Sequence, residues 1–524
     1  MRIQGVRKFG IFVIKSTPNS STRSFSGLVP VDGNGWSKYA KLQWKMRLNF
    51  QRCESRANIF SNTKIPESTI PLARKNKWIP GSFETFVSLF RTEQAINLHE
   101  YVDKNHKELG PIFRDRIGPV DLIFVNSPDD FRKIFRLEGS TPMHFLPEAW
   151  HFYNKSRNCS RGLLFMDGEE WLHFRRIMNK VMLIPNPVNT MAPRCYEAAQ
   201  DLVEQWSNFA DTSKPIEGLE TRLYRWSIEV MLAILIGSSW KNYKPRIDKE
   251  TIKLARILHR IFVLSAKLSL LPVKYVIKFR LPVWREFCQV VDEALGSVRD
   301  IVTEILCLEG DGLLSLMIKE GITKQEDLVR IVTDLVIAAG DTTAYSTQWA
   351  LLTLAKNPRV QDKLFERVKY LEPKDIMSDY YIKAIIKESL RLYPTAPFLA
   401  RFLPNDAIIA GHHVSKGELM VMSIYSSGKE PKNFPDPHEF RPERWMRNEA
   451  GNYKEVNNPH GTLPFALGAR SCVGKKLAET QMILTLSQIV KTFKIECSNE
   501  DAIRMILHLI AVPSKSIKLK LYKR

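Results

Sequence analysis

The chain has 524 residues, of which 44% are hydrophobic, and its net charge is +21 at pH 7. This content suffices for a large buried core, and the sequence contains no internal repeat. The basic residues are dispersed and no recognition motif accompanies them, so acidic proteins or anionic lipid are expected as partners and nucleic acid is not. The seven cysteines are scattered and odd in number, which argues against a disulfide framework and against a four-cysteine zinc site.

The N-terminal segment has the composition of a mitochondrial transit peptide. It contains basic residues and a cluster of serine and threonine, with no acid before Asp32. Its apolar run, residues 9–14, is far shorter than the about 20 residues that span a bilayer. The stretch Arg23-Ser24-Phe25-Ser26 has the pattern of a matrix-protease site. We therefore predict a transit peptide over residues 1–25, whose end could lie as late as residue 60; a disordered basic tail is the alternative.

Turn-forming residues mark the start of the folded part. Pro66, Pro71 and the pair Pro80-Gly81 indicate a rigid, turn-rich beginning, and we place one domain over residues 66–524. Residues 112–125 have the pattern of a hairpin around Gly118-Pro119. A short helix is predicted to follow over residues 129–137.

Trp171 and Arg175 stand four residues apart in a helical pattern, so they share one helix face. An indole N–H and a guanidinium are both donors suited to a carboxylate. On these two residues alone, a cation–π contact between them is the simpler interpretation.

Residues 191–300 show mostly helical periodicity. Within them, residues 261–282 are strongly apolar but also contain four basic residues, Lys267, Lys274, Lys278 and Arg280. This mixture suits a segment that lies on a membrane surface, with lysines near anionic head groups. A buried pair of helices with solvated lysines explains the pattern equally well.

A long helix is predicted from the apolar residues near 328 to Lys356, and at 1.5 Å per residue it would span about 50 Å. Thr323 and Glu326 have the spacing of a capping box at its start. In its middle, Ala338-Ala-Gly-Asp-Thr-Thr343 weakens helical hydrogen bonding, so a bulge or kink is expected. Asp341 and Thr342 place an acid beside an alcohol, an arrangement suited to proton delivery.

A further predicted helix contains two pairs of charged residues. Glu388 and Arg391 are three residues apart on a predicted helix and would be an ordinary surface pair on most helices. Lys383 and Lys387 share one face of the same helix. Arg401 follows on a predicted strand.

The stretch from Phe465 to Gly474 places Cys472 in a glycine-containing loop just before a helical apolar pattern. A thiolate at a helix N-terminus is stabilised by the free amides and the helix dipole, and it is a good soft metal ligand. A lone cysteine is more often a small buried hydrophobic residue.

The complete pattern favours the metal ligand. Phe-x-x-Gly-x-Arg-x-Cys-x-Gly resembles the cysteine-ligand loop of the cytochromes P450, and all five fixed positions are present here. The resemblance implies a mainly α fold with a small β portion that fills nearly the whole chain. It also implies a haem b whose iron has the Cys472 thiolate as its axial ligand.

The same resemblance implies roles for the other motif residues. Haem contacts are implied for Trp171, Arg175, Arg401, Phe465 and Arg470, and proton delivery for Asp341 and Thr342, although Ala339 stands where glycine is common in the family. A structural lock that holds the cysteine loop is implied for Glu388, Arg391 and Arg444. Substrate contacts are implied near residues 140–160, 395–399 and 508–512.

Lys383, Lys387 and the pair Lys475-Lys476 resemble the basic site at which an acidic ferredoxin docks in the mitochondrial branch of the family. A solvated charged face is the alternative. The chain lacks a flavin or nicotinamide fingerprint, so its electrons must come from another protein, here a ferredoxin reduced by an NADPH-dependent reductase.

Residues 338–349 resemble the arthropod mitochondrial ecdysteroid 2-hydroxylases. This implies hydroxylation of 2-deoxyecdysone to ecdysone with O2 and two electrons, on the matrix side of the inner mitochondrial membrane. Two alternatives remain: a mitochondrial P450 that acts on another sterol or on xenobiotics, and a non-enzymatic haem-thiolate sensor. The sensor is disfavoured because it has no need of the Asp341-Thr342 pair.

Overall fold

The computed structural model describes residues 69–73, 96–117, 120–143, 145–159, 161–183, 191–212, 214–269, 271–307 and 310–524, without the side chains of residues 246–250. These residues belong to one compact unit, Pro66–Arg524. The predicted transit peptide and the predicted turn at Gly118-Pro119 lie outside the described residues, and both stay predictions.

Helices dominate the described chain. They are α1 (Leu98–Leu109), α2 (Pro128–Leu137), α3 (Glu148–Arg157), α4 (Gly168–Met182), α5 (Ala192–Thr212), α6 (Leu219–Ile236), α7 (Trp240–Ser269), α8 (Val273–Lys278), α9 (Pro282–Leu306), α10 (Leu313–Lys319), α11 (Gln325–Lys356), α12 (Pro358–Val368), α13 (Pro373–Ile376), α14 (Tyr380–Leu392), α15 (Ile424–Gly428) and α16 (Lys475–Thr492). The strands are β1 (Ile112–Ile117), β2 (Val120–Val125), β3 (Phe398–Phe402), β4 (Ala407–Ile409), β5 (His412–Val414), β6 (Leu419–Ser423), β7 (Phe493–Cys497), β8 (Met505–His508), β9 (Ile510–Pro513) and β10 (Leu519–Lys523). The predicted fold class, mainly α with a small β portion, is confirmed.

The largest sheet has four strands in the order β1-β2-β6-β3. Strands β1 and β2 form the predicted antiparallel hairpin, in which Ile112 pairs with Val125. Strand β6 runs parallel to β2 and antiparallel to β3, so Arg401 of β3 pairs with Met420 of β6. This sheet places the predicted strand residue Arg401 beside the helical core.

Helix α11 is the centre of the helical core. Its 32 residues give a length of about 48 Å, as predicted. It packs most extensively against α6, and its other neighbours include α7, α9, α14 and α16. Because helices contact it from several directions, nearly all of its residues after Ile331 are buried.

Two local predictions about α11 are wrong. The helix begins after Lys324 without a side-chain cap, so the predicted capping box is absent. The α-helix is also continuous through residues 338–343, so the expected bulge is absent, while the alternative, a kink, stays a prediction. The Thr342 hydroxyl donates to the carbonyl oxygen of Ala338 at 2.7 Å, and the Ser227 hydroxyl donates to that of Ala339 at 2.8 Å. These bonds give the two carbonyl groups side-chain donors in the part of the helix where the sequence predicts weak helical hydrogen bonding.

The sequence left two interpretations open for residues 261–282, and the structure differs on the two sides of residue 270. The end of α7 is a buried helix, with Ile261, Leu264 and Leu268 at most 4% exposed. In α8 and the turn after it, Tyr275 and Phe279 are 59% and 66% exposed. Within the described part of the chain, no helix is both long enough and apolar enough to cross a bilayer.

Candidate active site around Cys472

The cysteine loop is held by its own backbone. The Cys472 amide donates to the carbonyl oxygen of Phe465 at 2.9 Å, and the Ser471 amide donates to that of Gly468 at 3.1 Å. Gly468 has φ +78°, a conformation that favours glycine. Helix α16 begins at Lys475, so Cys472 stands just before a helix N-terminus, as predicted.

Cys472 is an exposed residue, and it lines a cavity of the protein. Burial raises its pKa, and the amide of Gly474, Arg175 and Lys475 oppose that effect without overcoming it. The amide at the helix terminus lowers this pKa, as expected, but burial has the larger effect and the net shift is upward. Coordination to a metal ion deprotonates a thiol outright, so a bound iron would supply what the helix terminus does not.

The cavity has a volume of about 980 Å³. All six residues predicted to contact the cofactor line it: Trp171, Arg175, Arg401, Phe465, Arg470 and Cys472. Most of the remaining wall is aliphatic or aromatic. Residues from all three stretches expected to contact substrate also line it, among them Phe145, Phe398 and His508. Tertiary packing thus brings together residues that are more than 350 positions apart in the sequence, such as Phe145 and His508.

Two of the lining arginines have buried donors without a hydrogen-bond partner among the described residues. These donors are Nε of Arg175 and one terminal nitrogen, Nη2, of Arg401. Arg175 has a weak contact of 3.5 Å from Nη2 to the Ser471 hydroxyl, and burial lowers its pKa. Because an unpartnered buried donor is costly, these atoms are suited to an anionic group inside the cavity.

Glu138, which follows helix α2, is a site residue that the sequence did not indicate. Its buried carboxylate accepts hydrogen bonds from Arg401 Nε and from the Ala469 amide, both at 2.6 Å. A Cβ on Gly468 would clash with the same carboxylate. Glu138 therefore ties strand β3 to the cysteine loop, and glycine is required at 468 for this contact. No local pattern marks it, since its partners are remote in the sequence.

The Arg470 guanidinium donates its hydrogen bonds to other groups of the protein. Its Nε donates to the carbonyl oxygen of Pro142 at 2.7 Å, and its Nη2 donates to the carbonyl oxygen of Met166 at 2.7 Å and to Asp167 at 2.5 Å. The guanidinium also lies 4.3 Å from the Trp171 ring centroid. Burial lowers its pKa to about 10. Arg470 thus lines the cavity while fastening the cysteine loop to the start of α4, and its predicted contact with a cofactor carboxylate stays a prediction.

These residues fit a haem. An accessible cysteine sulfur, a largely apolar wall and unpartnered guanidinium donors match an iron, a flat hydrophobic ring and its carboxylates, respectively. Cys472 would hold the iron, and Arg175 and Arg401 would meet the carboxylates.

Asp341 and Thr342 are adjacent in sequence but have different surroundings. Thr342 lies one turn beyond the cavity-lining Ala338, on the same face of α11, and is exposed. The Asp341 side chain is 0% exposed, does not line the cavity and lies beside Tyr224 of α6. Burial raises the pKa of Asp341 well above its ordinary value; Tyr224 opposes this shift and Glu220 adds to it. Burial therefore favours the protonated form of this carboxyl.

Glu388, Arg391 and Arg444 form a fully buried cluster. Arg391 donates to both Glu388 oxygens at 2.9 and 2.8 Å, and Arg444 Nε donates to Glu388 Oε1 at 2.9 Å. The other nitrogens of the two arginines bond carbonyl oxygens between residues 428 and 455. The cluster fastens this segment, which leads into the cysteine loop, to helix α14; support of the loop itself stays a prediction.

The four predicted docking lysines lie on two neighbouring helices. Lys383 and Lys387 are on α14, and the exposed pair Lys475-Lys476 begins α16. Burial lowers the pKa of Lys383, Glu479 raises it, and the positive charge of Lys476 lowers it. The two helices therefore bring the side chains of Lys383 and Lys476 close together. Lys387 also contacts protein, since its Nζ donates to the Tyr453 hydroxyl at 3.3 Å and lies 5.5 Å from the Trp445 ring centroid.

A protein-family model described as Cytochrome P450 matches residues 79–521. This chain is a cytochrome P450. Mitochondrial P450s are among its relatives, as the sequence predicted. Cytochrome P450 315a1, mitochondrial, of Drosophila melanogaster is 36% identical over 488 residues, which cover 88% of this chain and 92% of the relative.

Two vertebrate relatives are more distant. The mitochondrial 1,25-dihydroxyvitamin D(3) 24-hydroxylase of Rattus norvegicus is 29% identical over 434 residues, 80% of this chain and 83% of the relative. The mitochondrial cytochrome P450 11B2 of Mesocricetus auratus is 28% identical over 477 residues, 88% of this chain and 93% of the relative. Membership of the family makes this protein a P450 monooxygenase and implies a haem cofactor.

Proposed function

We propose that this P450 is a mitochondrial steroid monooxygenase that hydroxylates an ecdysteroid at C2, in the biosynthesis of ecdysone and 20-hydroxyecdysone. In the proposed reaction, 2-deoxyecdysone, O2, two electrons and two protons give ecdysone and water. The proposed cofactor is haem b. Support comes from the resemblance of residues 338–349 to the arthropod ecdysteroid 2-hydroxylases and from the similarity to a mitochondrial P450 of Drosophila melanogaster.

The observation that carries the proposal is the cavity in front of Cys472. Away from the cofactor residues it is lined mainly by apolar side chains such as Leu122, Val263 and Leu335, with Lys267, Ser269, Asp334 and His508 as polar exceptions. A large apolar space with a few polar groups suits a bulky hydrophobic molecule that carries hydroxyl groups. A steroid has this chemistry.

The haem, when bound, would supply the activation of O2. The chain's own residues would do the rest. Cys472 would provide the thiolate, and Arg175 and Arg401 would orient the cofactor through its carboxylates. The Thr342 hydroxyl, which faces the cavity side of α11, would pass protons toward the cofactor, and the buried, protonated Asp341 would resupply it.

The proposed electron donor is an acidic mitochondrial ferredoxin that docks on Lys383, Lys387, Lys475 and Lys476. Support comes from the closeness of Lys383 and Lys476 on neighbouring helices. Opposite charges at such a surface mainly raise the rate of encounter and are screened by salt. Reversing Lys476, which is exposed, should depress ferredoxin-driven turnover most strongly at low salt and leave peroxide-driven turnover nearly unchanged.

We propose a peripheral position on the matrix side of the inner mitochondrial membrane. Support comes from the exposed side chains Tyr275, Phe279 and Leu281, which are accompanied by the basic residues Lys274, Lys278 and Arg280. Apolar side chains can enter the head-group region while the basic residues meet anionic lipid. Flotation with cardiolipin-containing vesicles tests this, and a Phe279→Asp variant that binds as well as the parent would contradict it.

The deciding experiment is reconstitution of the purified protein with ferredoxin, ferredoxin reductase, NADPH and a panel of ecdysteroid precursors. The expected product from 2-deoxyecdysone is ecdysone, identified by mass spectrometry. Turnover of another sterol or of xenobiotics in its place would support the first alternative, and absence of any turnover in a protein with a normal haem would support a sensor.

Two variants accompany this experiment. Cys472→Ser should lose the red-shifted ferrous–CO absorption of a thiolate haem, and retention of that band would refute the ligand assignment. Thr342→Ala should bind substrate normally and divert electrons to peroxide, so the ratio of product to NADPH consumed should fall. An unchanged ratio would remove Thr342 from the proposed proton delivery.

A further inference from the structure

Helices α6 and α11 carry two pairs of ionisable side chains that face each other. Glu220 and Tyr224 are four residues apart on α6, and Asp341 and Tyr345 are four residues apart on α11, so each pair lies on one helix face. The Tyr345 hydroxyl donates a hydrogen bond to Glu220. Because the two helices pack closely, the other members, Tyr224 and Asp341, meet one turn further along.

The position of the Tyr224 ring gives independent geometric support for a contact between Tyr224 and Asp341. A Cβ added to Gly340 would lie only 3.1 Å from the Tyr224 hydroxyl oxygen, so this ring rests against α11 beside Asp341. Neither Asp341 oxygen nor the Tyr224 hydroxyl has a partner with the geometry of a hydrogen bond among the described residues. They nevertheless shift each other's pKa, as groups close to bonding distance do. The two groups are therefore neighbours across the contact between α6 and α11.

The opposite end of this row of side chains reaches the surface. His259 of α7 has its Nδ1 3.4 Å from the Tyr345 hydroxyl and 3.9 Å from Glu220 Oε1. The side chains of His259 and Glu220 are each 42% exposed, whereas Asp341 is 0% exposed. Exposure thus falls along the row from His259 and Glu220 to Asp341.

We propose that Glu220, Tyr345 and Tyr224 form a proton route that connects solvent beside His259 with the carboxyl group of Asp341. This proposal rests on the proton-delivering role of Asp341 in the proposed function. A buried acid that gives up its proton must recover one, and Asp341 has no exposed surface from which to take it.

The transfer needs no tyrosinate. Each tyrosine hydroxyl gives its proton to the next oxygen while it receives another from the group behind it, so one O–H bond forms for each that breaks. The net result is uptake of one proton from solvent at Glu220 or His259 and its release to the Asp341 carboxylate. Burial raises the pKa of Tyr224 and that of Tyr345, which keeps both hydroxyls neutral and able to donate and accept.

The test measures proton exchange at Asp341 in the resting haem-loaded enzyme, without turnover. After the protein is mixed into D2O, the carbonyl-stretch infrared band of the protonated Asp341 carboxyl shifts as its proton is replaced by deuterium. The band is assigned by subtracting the spectrum of Asp341→Asn. Tyr224→Phe and Tyr345→Phe should each slow this exchange by about tenfold or more, equivalent to a barrier higher by about 1.4 kcal/mol.

A matched control is available in the same protein. The Tyr153 hydroxyl donates to Asp292 at 2.7 Å, which makes a buried tyrosine beside a carboxylate on helices α3 and α9, outside α6 and α11. Tyr153→Phe should leave the Asp341 exchange rate unchanged. Glu220→Gln serves as a second variant of the route, and should slow exchange without altering either ring.

Each outcome has a defined meaning. Exchange at the parent rate in both tyrosine variants, or absence of an Asp341 carboxyl band, would overturn the route. Slowed exchange in an enzyme that does not hydroxylate steroids would support the route and refute the proposed substrate. Slowed exchange together with a lower ratio of product to NADPH consumed in Tyr224→Phe would support both.

Discussion

Asp334 and Asp341 are two acids on the same helix, two turns apart and both buried, at 5% and 0% exposure. The Asp334 carboxylate accepts from Arg161 Nη2 at 2.7 Å and from the Leu164 amide at 3.2 Å. Among the described residues, no cation shifts the pKa of Asp341, which faces Tyr224. Burial raises the pKa of both, and only for Asp334 does an arginine oppose it. Burial alone therefore does not define the role of an acid; its partner does.

Asp334 is a structural acid because its partner segment is packed on all sides. The Arg161 guanidinium lies 5.1 Å from the Trp150 ring centroid and 4.4 Å from that of Phe165. A Cβ on Gly162 would clash with the backbone of α11 at Arg330. These contacts fasten the segment before α4 to the long helix, and they form one wall of the cavity.

The largest effect is expected from breaking the structural pair. Arg161→Met would leave Asp334 buried without a cation, and removing one partner of a buried ion pair costs about 3–5 kcal/mol. Urea unfolding followed by circular dichroism measures the loss. The double variant Arg161→Met/Asp334→Asn should recover most of it. A single variant that is as stable as the parent would show that the pair does not hold this segment.

Asp341→Asn should increase the stability of the fold, whereas Arg161→Met should decrease it. The folded-state pKa of Asp341 is raised, so above the unfolded pKa of about 3.9 the folded state holds a proton that the unfolded state lacks, and stability falls as pH rises through this window. An asparagine side chain does not titrate, so the variant avoids this loss of stability. The loss is about 1.4 kcal/mol for each unit by which folding raises the pKa. The variant should be more stable than the parent at neutral pH, with a flatter pH profile. Superimposable unfolding profiles would contradict the raised pKa.

Tyr224→Phe should change stability little. Its hydroxyl has no geometric hydrogen-bond partner among the described residues, so removing it deletes no complete bond, and a change within about 1 kcal/mol is expected. Tyr153→Phe, which deletes a made bond to Asp292, should cost more. Thermal unfolding of the two variants side by side checks the order. The reverse order would mean that Tyr224 has a structural role.

The smallest effect should come from an exposed pair. Lys180 Nζ lies 3.1 Å from Glu320, and their side chains are 66% and 39% exposed. Such pairs contribute about 0–1 kcal/mol, so Lys180→Ala should unfold almost as the parent does. A loss comparable to that of Arg161→Met would show that burial is not what separates the two kinds of pair.

The sequence by itself determined the features that depend on near neighbours. The hairpin, the short helix α2, the long helix α11, the strand that contains Arg401 and the position of Cys472 before α16 all follow from periodicity and turn residues within a short window. Five residues that line the cavity with Cys472 were also predicted, through the resemblance to the cytochromes P450: Trp171, Arg175, Arg401, Phe465 and Arg470.

Only the tertiary structure decided which groups meet. Glu138 is 263 residues from Arg401, and Arg161 is 173 residues from Asp334, so no local pattern connects them. The same holds for Tyr224, which reaches Asp341 because α6 packs on α11. It is also packing that turns Asp341 away from the cavity while its neighbour Thr342 faces the cavity side. Adjacent helix residues point about 100° apart, and what each meets depends on the elements that surround the helix.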